Sequence, residues 1–129
     1  MVKVEAFDHL VLVCQDVERT LAWYQDVLGL EGVRVEEWRR REVPFPSIRV
    51  NGDTIIDLLA ERGTSESPAR NVDHLCLVVA PVDFDEVVAS GRFEVLDGPG
   101  PRFGARGIGT SLYVRDPDGM TVELRYYPS

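Results

Sequence analysis

The chain has 129 residues, 44% of them hydrophobic, enough for one core and too few for two independent domains. A formal net charge of −8 would repel a phosphate backbone or an anionic membrane, so neither nucleic acid nor membrane is an expected partner. No apolar run is long enough to span a bilayer, and the N-terminal MVKVEAFDH lacks the charged and long apolar stretches of a secretory signal, which predicts a soluble cytoplasmic protein.

Phe7 to Cys14 is a Val- and Leu-rich run of strand length, ending at Gln15-Asp16, where Asp16 is placed to cap a helix. Val17, Leu21, Tyr24 and Leu28 recur at helical spacing until Gly29, which predicts a helix from Val17 to Leu28. Charges alternating with Val33, Val35 and Trp38 predict a solvated edge strand over Val33 to Arg41. Phe45 to Val50 and Thr54 to Ala60 follow as strands, joined at Asn51-Gly52 as a tight hairpin. Glu61 to Arg70 has the composition of a linker. The pattern then restarts: a strand from Asp73 to Val79, a helix from Val82 to Ser90 and a strand from Phe93 to Leu96. Gly98 to Gly109, with five glycines, reads as a loop. Thr110 to Val114 and Met120 to Tyr127 are strands joined by Asp116-Pro117-Asp118-Gly119. Each half is β-α-β-β-β. The expected fold is therefore α+β, a single domain over 1–129 in which two tandem modules, about 5–60 and 71–128, form a curved mixed sheet around a cleft. Cys14 and Cys76 lie in apolar runs without CxxC spacing and read as buried thiols in a reducing compartment.

Both histidines of the chain sit in copies of one hexapeptide, DHLVLV at Asp8 to Val13 and DHLCLV at Asp73 to Val78. A second echo pairs Ser47-Ile-Arg-Val and the strand holding Asp57 with Ser111-Leu-Tyr-Val and the strand holding Glu123. Asp57, flanked by Ile55, Ile56, Leu58 and Leu59, is a costly charge unless paired or bound to metal. Glu123 has milder neighbours, and a salt bridge alone would account for it. Taken singly, each of the four reads as a satisfied core residue. Together, at repeat-related positions, His9, Asp57, His74 and Glu123 read as ligands of one divalent ion. Imidazole and carboxylate suit Fe, Mn, Co, Ni or Zn, and four ligands in an octahedron leave positions open for a small-molecule substrate. A metal there would polarise a substrate oxygen while a flanking carboxylate, Glu123 or Asp57, moves a proton. Arg102 and Arg106 of the glycine-rich stretch are placed to cradle an anionic group or, equally, to be solvated loop charges.

The paired β-α-β-β-β modules, the DHL hexapeptides with the following WYQDVLGL, and YVRDPDGMTVEL near the end resemble the vicinal oxygen chelate superfamily over nearly the whole chain. That group includes glyoxalase I, extradiol dioxygenases, methylmalonyl-CoA epimerase and bleomycin resistance proteins, and this chain is most similar to small glyoxalase-domain proteins. The resemblance implies ligands from the first and last strands of each module, which are again His9, Asp57, His74 and Glu123. It implies a metal-dependent lyase or isomerase acting on a substrate chelated through adjacent oxygens, and a homodimer. Two alternatives stay open. An extradiol dioxygenase would use iron on His9, His74 and Glu123; Tyr113, Asp116, Pro117, Gly119 and Glu123 match its signature, with Tyr113 then facing substrate, but Gly104, Ala105 and Arg106 stand where its acid-base histidine would fall. A drug-sequestering protein of the bleomycin resistance type would need no metal.

Overall fold

The computed structural model describes residues 1–61, 71–115 and 120–128. The linker expected over Glu61 to Arg70 and the turn at Asp116 to Gly119 thus lie almost wholly outside the described residues. The fold is α+β, and its elements follow the order β1 (Val4–Cys14), α1 (Val17–Asp26), β2 (Glu31–Val33), α2 (Val35–Arg39), β3 (Ser47–Asn51), β4 (Thr54–Ala60), β5 (Val72–Val79), α3 (Phe84–Ala89), β6 (Glu94–Gly104), β7 (Gly107–Arg115) and β8 (Thr121–Tyr126). Among the described residues, no helix is long and apolar enough to cross a membrane.

By their internal contacts the residues form two compact units, a split unit of Met1–His9 with His74–Ser129 and a continuous unit of Leu10–Asp73. In the continuous unit the strands lie in the order β2-β3-β4-β1, with β2, β3 and β4 antiparallel. One sheet face carries Ile48 and Leu58 and is covered by Val17 and Leu21 of α1, with Val35 and Trp38 of α2 against the same cluster. Asp16 caps α1 as expected, its side chain accepting from the Arg19 N–H at 3.1 Å. The helix ends at Asp26, two residues before the expected Leu28, and Gly29 adopts the left-handed conformation at φ 70°.

The expected edge strand from Val33 to Arg41 is a correction. Only Val33 belongs to a strand, and Val35–Arg39 coil into α2. Val35 and Trp38 are three apart, so a helical turn presents both to the core, whereas a strand would point them to opposite faces. Arg39 settles the matter by reaching Glu36 at 2.8 Å and gripping Glu18 of α1 with two bonds of 3.0 and 2.9 Å.

In the split unit the order is β1-β5-β8-β7-β6; β5 runs parallel to β8, while β8, β7 and β6 are antiparallel. Strand alternation divides this sheet sharply. Val79, Leu112, Val114 and Leu124 pack with Phe84 and Val87 of α3 into one apolar cluster. Register places Cys76 opposite Glu123, Tyr113 opposite Glu123 and Ser111 opposite Arg125, so the other face is polar.

The glycine-rich loop expected from Gly98 to Gly109 is the second correction. These residues are the distal half of the β6–β7 hairpin, paired Gly100 with Ser111, Arg102 with Gly109 and Gly104 with Gly107 around a tip at Ala105-Arg106. Glycine is poor in strands because it packs nothing, so composition alone reads as loop. At Gly104 the missing side chain makes room for another: a Cβ there would lie 2.0 Å from Arg125 Nη1 and 2.6 Å from the Tyr127 hydroxyl.

Candidate metal centre

His9 on β1, His74 on β5 and Glu123 on β8 all belong to the split unit and meet on its polar face. Both imidazole Nε2 atoms converge on one carboxylate oxygen, Glu123 Oε1, at 3.1 Å from His9 and 3.0 Å from His74. The rings stand edge to face with centroids 5.5 Å apart. One donor atom from each residue lies within 4.8 Å of the other two, a spread that one divalent ion can close.

The rest of Glu123 is saturated. Oε2 accepts from Ser111 Oγ at 2.7 Å and from Arg125 Nη2 at 2.6 Å. Arg125 also donates to the Phe103 carbonyl at 2.9 Å and to the Tyr127 hydroxyl at 3.2 Å. Burial alone would raise the Glu123 pKa, but hydrogen bonds from His74 and His9 and the charges of His9 and Arg125 hold the carboxyl well below the usual range. Only Oε1 is left for an ion.

His9 is held from both sides, with Nδ1 2.7 Å from Asp8 Oδ2. Burial works against its charge, yet hydrogen bonds with Asp8, Cys76 and Glu123 outweigh it, and the imidazolium is pushed up to about 12. Asp8 is fully buried and also accepts from the Ala105 N–H at 3.0 Å and from the Tyr127 hydroxyl. Cys76 sits beside His9, its thiol pushed up to about 11 mainly by burial, and Asp8, His9 and Cys76 form a second close donor group. The side chains of His9 and Glu123 are 2% and 1% exposed and that of His74 is 13% exposed, so His74 stands nearest solvent among the three.

The Tyr113 ring meets His74 edge-on at 5.6 Å, and the Arg102 guanidinium lies 5.7 Å from the centre of that ring while pairing with Asp97 at 3.0 Å. Arg106 is placed differently, over Tyr127 at the hairpin tip. Asp57 belongs to the continuous unit. It is 2% exposed, accepts from Ser47 Oγ at 2.5 Å, and lies close enough to Arg34 for the two charges to interact. The second echo of the sequence is thus a pair of serine–carboxylate contacts, Ser47 with Asp57 and Ser111 with Glu123. Asp8, Arg125 and Tyr127 were not singled out from sequence; alternation along β8, which puts Arg125 on the face of Glu123, was the available signal for one of them.

The Glyoxalase/Bleomycin resistance protein/Dioxygenase superfamily matches this chain over residues 6–124. A virulence protein of Salmonella typhimurium is 30% identical over 126 residues, which cover 96% of this chain and 85% of that protein. Among solved structures, a methylmalonyl-CoA epimerase of Streptomyces coelicolor superposes with a TM-score of 0.72 at 21% identity, covering 98% of this chain and all (100%) of that one. A Mn(II)-bound glyoxalase of Novosphingobium aromaticivorans gives 0.70 at 18% identity, covering 98% of this chain and 40% of that one. The duplicated histidine hexapeptide, the repeated strand order and the match along most of the sequence agree, and the chain belongs to the glyoxalase/bleomycin resistance protein/dioxygenase superfamily.

Proposed function

We propose that the protein is a divalent-metal-dependent lyase or isomerase of the glyoxalase type, with the ion held by His9, His74 and Glu123 and a small substrate presenting two adjacent oxygens. The observation that carries this reading is the convergence of two imidazole Nε2 atoms on a single carboxylate oxygen. Two neutral imidazoles and one carboxylate suit Mn, Fe, Co, Ni or Zn, and a bound ion of this kind supplies Lewis acidity toward oxygen ligands.

The chain's own groups set the rest. Ser111 and Arg125 hold Glu123 Oε2 and so present Oε1 alone. Substrate enters from the His74 side, where the more exposed ring, Tyr113 and Arg102 form the wall and Arg102 offers a cation to an anionic substrate arm. Glu123, with Oε2 held by Ser111 and Arg125 and Oε1 facing both imidazoles, is assigned to the ion.

The test is elemental analysis of protein purified without chelator, beside His74→Ala, with turnover measured on hemithioacetals and 2-methyl-branched acyl thioesters. Wild type should hold one ion per chain and His74→Ala none, with turnover lost together with the ion. Metal-free wild type that takes up nothing on titration would end the reading. A second reading, oxygen-dependent ring cleavage, is favoured by the two-histidine, one-carboxylate composition of the trio. Oxygen uptake by the Fe(II)-loaded protein with catechols distinguishes it.

A further inference from the structure

The two hexapeptides place an aspartate before each histidine, but the fold treats the two differently. Asp73 is exposed, whereas Asp8 has no solvent exposure at all. Both oxygens of Asp8 are engaged: Oδ2 by His9 Nδ1 at 2.7 Å and by the Ala105 amide at 3.0 Å, Oδ1 by the Tyr127 hydroxyl. Tyr127 in turn accepts from Arg125 Nη1 at 3.2 Å and from the Arg106 amide at 3.3 Å. One carboxylate therefore joins a candidate ligand to a hairpin tip 97 residues away in sequence and to the C-terminal tyrosine 119 residues away.

We propose that Asp8 is a positioning residue that fixes His9 for ion binding and ties it to the tip of the β6–β7 hairpin. The proposal rests on the assignment of His9, His74 and Glu123 to a metal. A ligating imidazole must keep its proton on one nitrogen and offer a lone pair on the other, and a carboxylate on Nδ1 enforces that choice and sharpens the ring's aim. His9 Nε2, the atom facing Glu123, is the one so freed. Burying Asp8 is costly unless both its oxygens are hydrogen-bonded. Three donors meet that need, and two of them, Ala105 and Tyr127, belong to the hairpin tip and the segment beneath it. An ion that draws His9 into place thereby steadies Asp8 and, through it, Ala105.

The experiment is titration of the full chain with Zn(II) against a chelating indicator, for wild type, Asp8→Ala, Asp8→Asn and Tyr127→Phe, with hydrogen exchange at the Ala105 amide followed in each. Asp8→Ala should weaken Zn(II) binding roughly 10- to 100-fold while a folded circular dichroism spectrum persists. Asp8→Asn, which keeps an acceptor for Nδ1 but not the charge, should recover part of that loss and guards against a misfolded alanine variant. Tyr127→Phe should bind within about threefold of wild type yet exchange faster at Ala105, because it removes the hydroxyl that supports Asp8 and the adjacent Arg106 amide without touching His9. Zn(II) should slow Ala105 exchange in wild type and not in Asp8→Ala. Folded Asp8 variants that bind Zn(II) as wild type does would overturn the proposal. If wild type itself binds no Zn(II) or Mn(II), the metal assignment fails, and the metal-free protein decides the positioning on its own: a strongly hydrogen-bonded His9 Nδ1 proton present in wild type and lost in Asp8→Ala upholds it, and the same signal in both overturns it.

Discussion

Arg125 is completely buried and neutralises Glu123 from 2.6 Å, while its Nε finds no partner among the described residues. A cation placed there at such cost makes sense as the group that holds one carboxylate oxygen aside. Replacing it leaves a buried carboxylate uncompensated, so Arg125→Met should lower unfolding free energy by about 3–5 kcal/mol in urea titrations and release Glu123 Oε2. Asp57→Ala, which leaves Ser47 without its acceptor, should cost less, about 1–3 kcal/mol. At this scale the sequence was legible where a residue type is rare. Two histidines in identical hexapeptides identify themselves. Asp8 did not, because the repeat makes it equal to Asp73, and only Ala105 and Tyr127, far away in the chain, make one aspartate a buried acceptor and leave the other at the surface.

The β6–β7 hairpin supplies the Ala105 amide that holds Asp8 and the Phe103 carbonyl that holds Arg125, and its glycines are what let it do so. A side chain at Gly104 would occupy the space of the Arg125 guanidinium. Gly104→Ala should therefore destabilise the fold by about 1–3 kcal/mol and, by displacing Arg125, weaken metal retention as well, which thermal melts with and without added Mn(II) will show. Strands such as Thr54–Ala60, found as predicted, were readable from their own alternation. The hairpin was not, since its pairing is justified by what crosses it and not by its composition. Helix α2 escaped for a related reason. Its five residues are too short for a period of 2 to be told from one of 3.6, and the Arg39 grip on Glu18 that fixes it comes from another helix.

For the whole molecule, the metal assignment makes stability, ion binding and pH one problem. In the metal-free chain the folded His9 pKa is raised from 6.5, so its contribution is fully present below 6.5 and is lost as pH rises toward about 12. Asp8 and Glu123 are shifted down, so their contributions are present above the ordinary values of 3.8 and 4.5 and are lost as pH falls through their lowered pKa values. The metal-free Tm should thus peak between these limits and fall above pH 6.5. An ion replaces the proton between His9 and Glu123, so the rise in Tm on adding Mn(II) should grow with pH; at one hundred times Kd it amounts to about 2.7 kcal/mol. A stabilisation by Mn(II) that is flat or shrinking from pH 6 to 9 would count against proton displacement. The overall plan, β-α-β-β-β twice, was visible because each half repeats the same hydrophobic punctuation. The division into a split and a continuous unit was not, because it depends on the first nine residues joining the chain's second half.

The most direct measurement is a crystal structure of the protein grown with Mn(II), with data collected for anomalous scattering. The account predicts one strong peak per chain within about 2.0–2.3 Å of His9 Nε2, His74 Nε2 and Glu123 Oε1. An empty trio, or an ion bound elsewhere while His9, His74 and Glu123 keep their direct contacts, would contradict it.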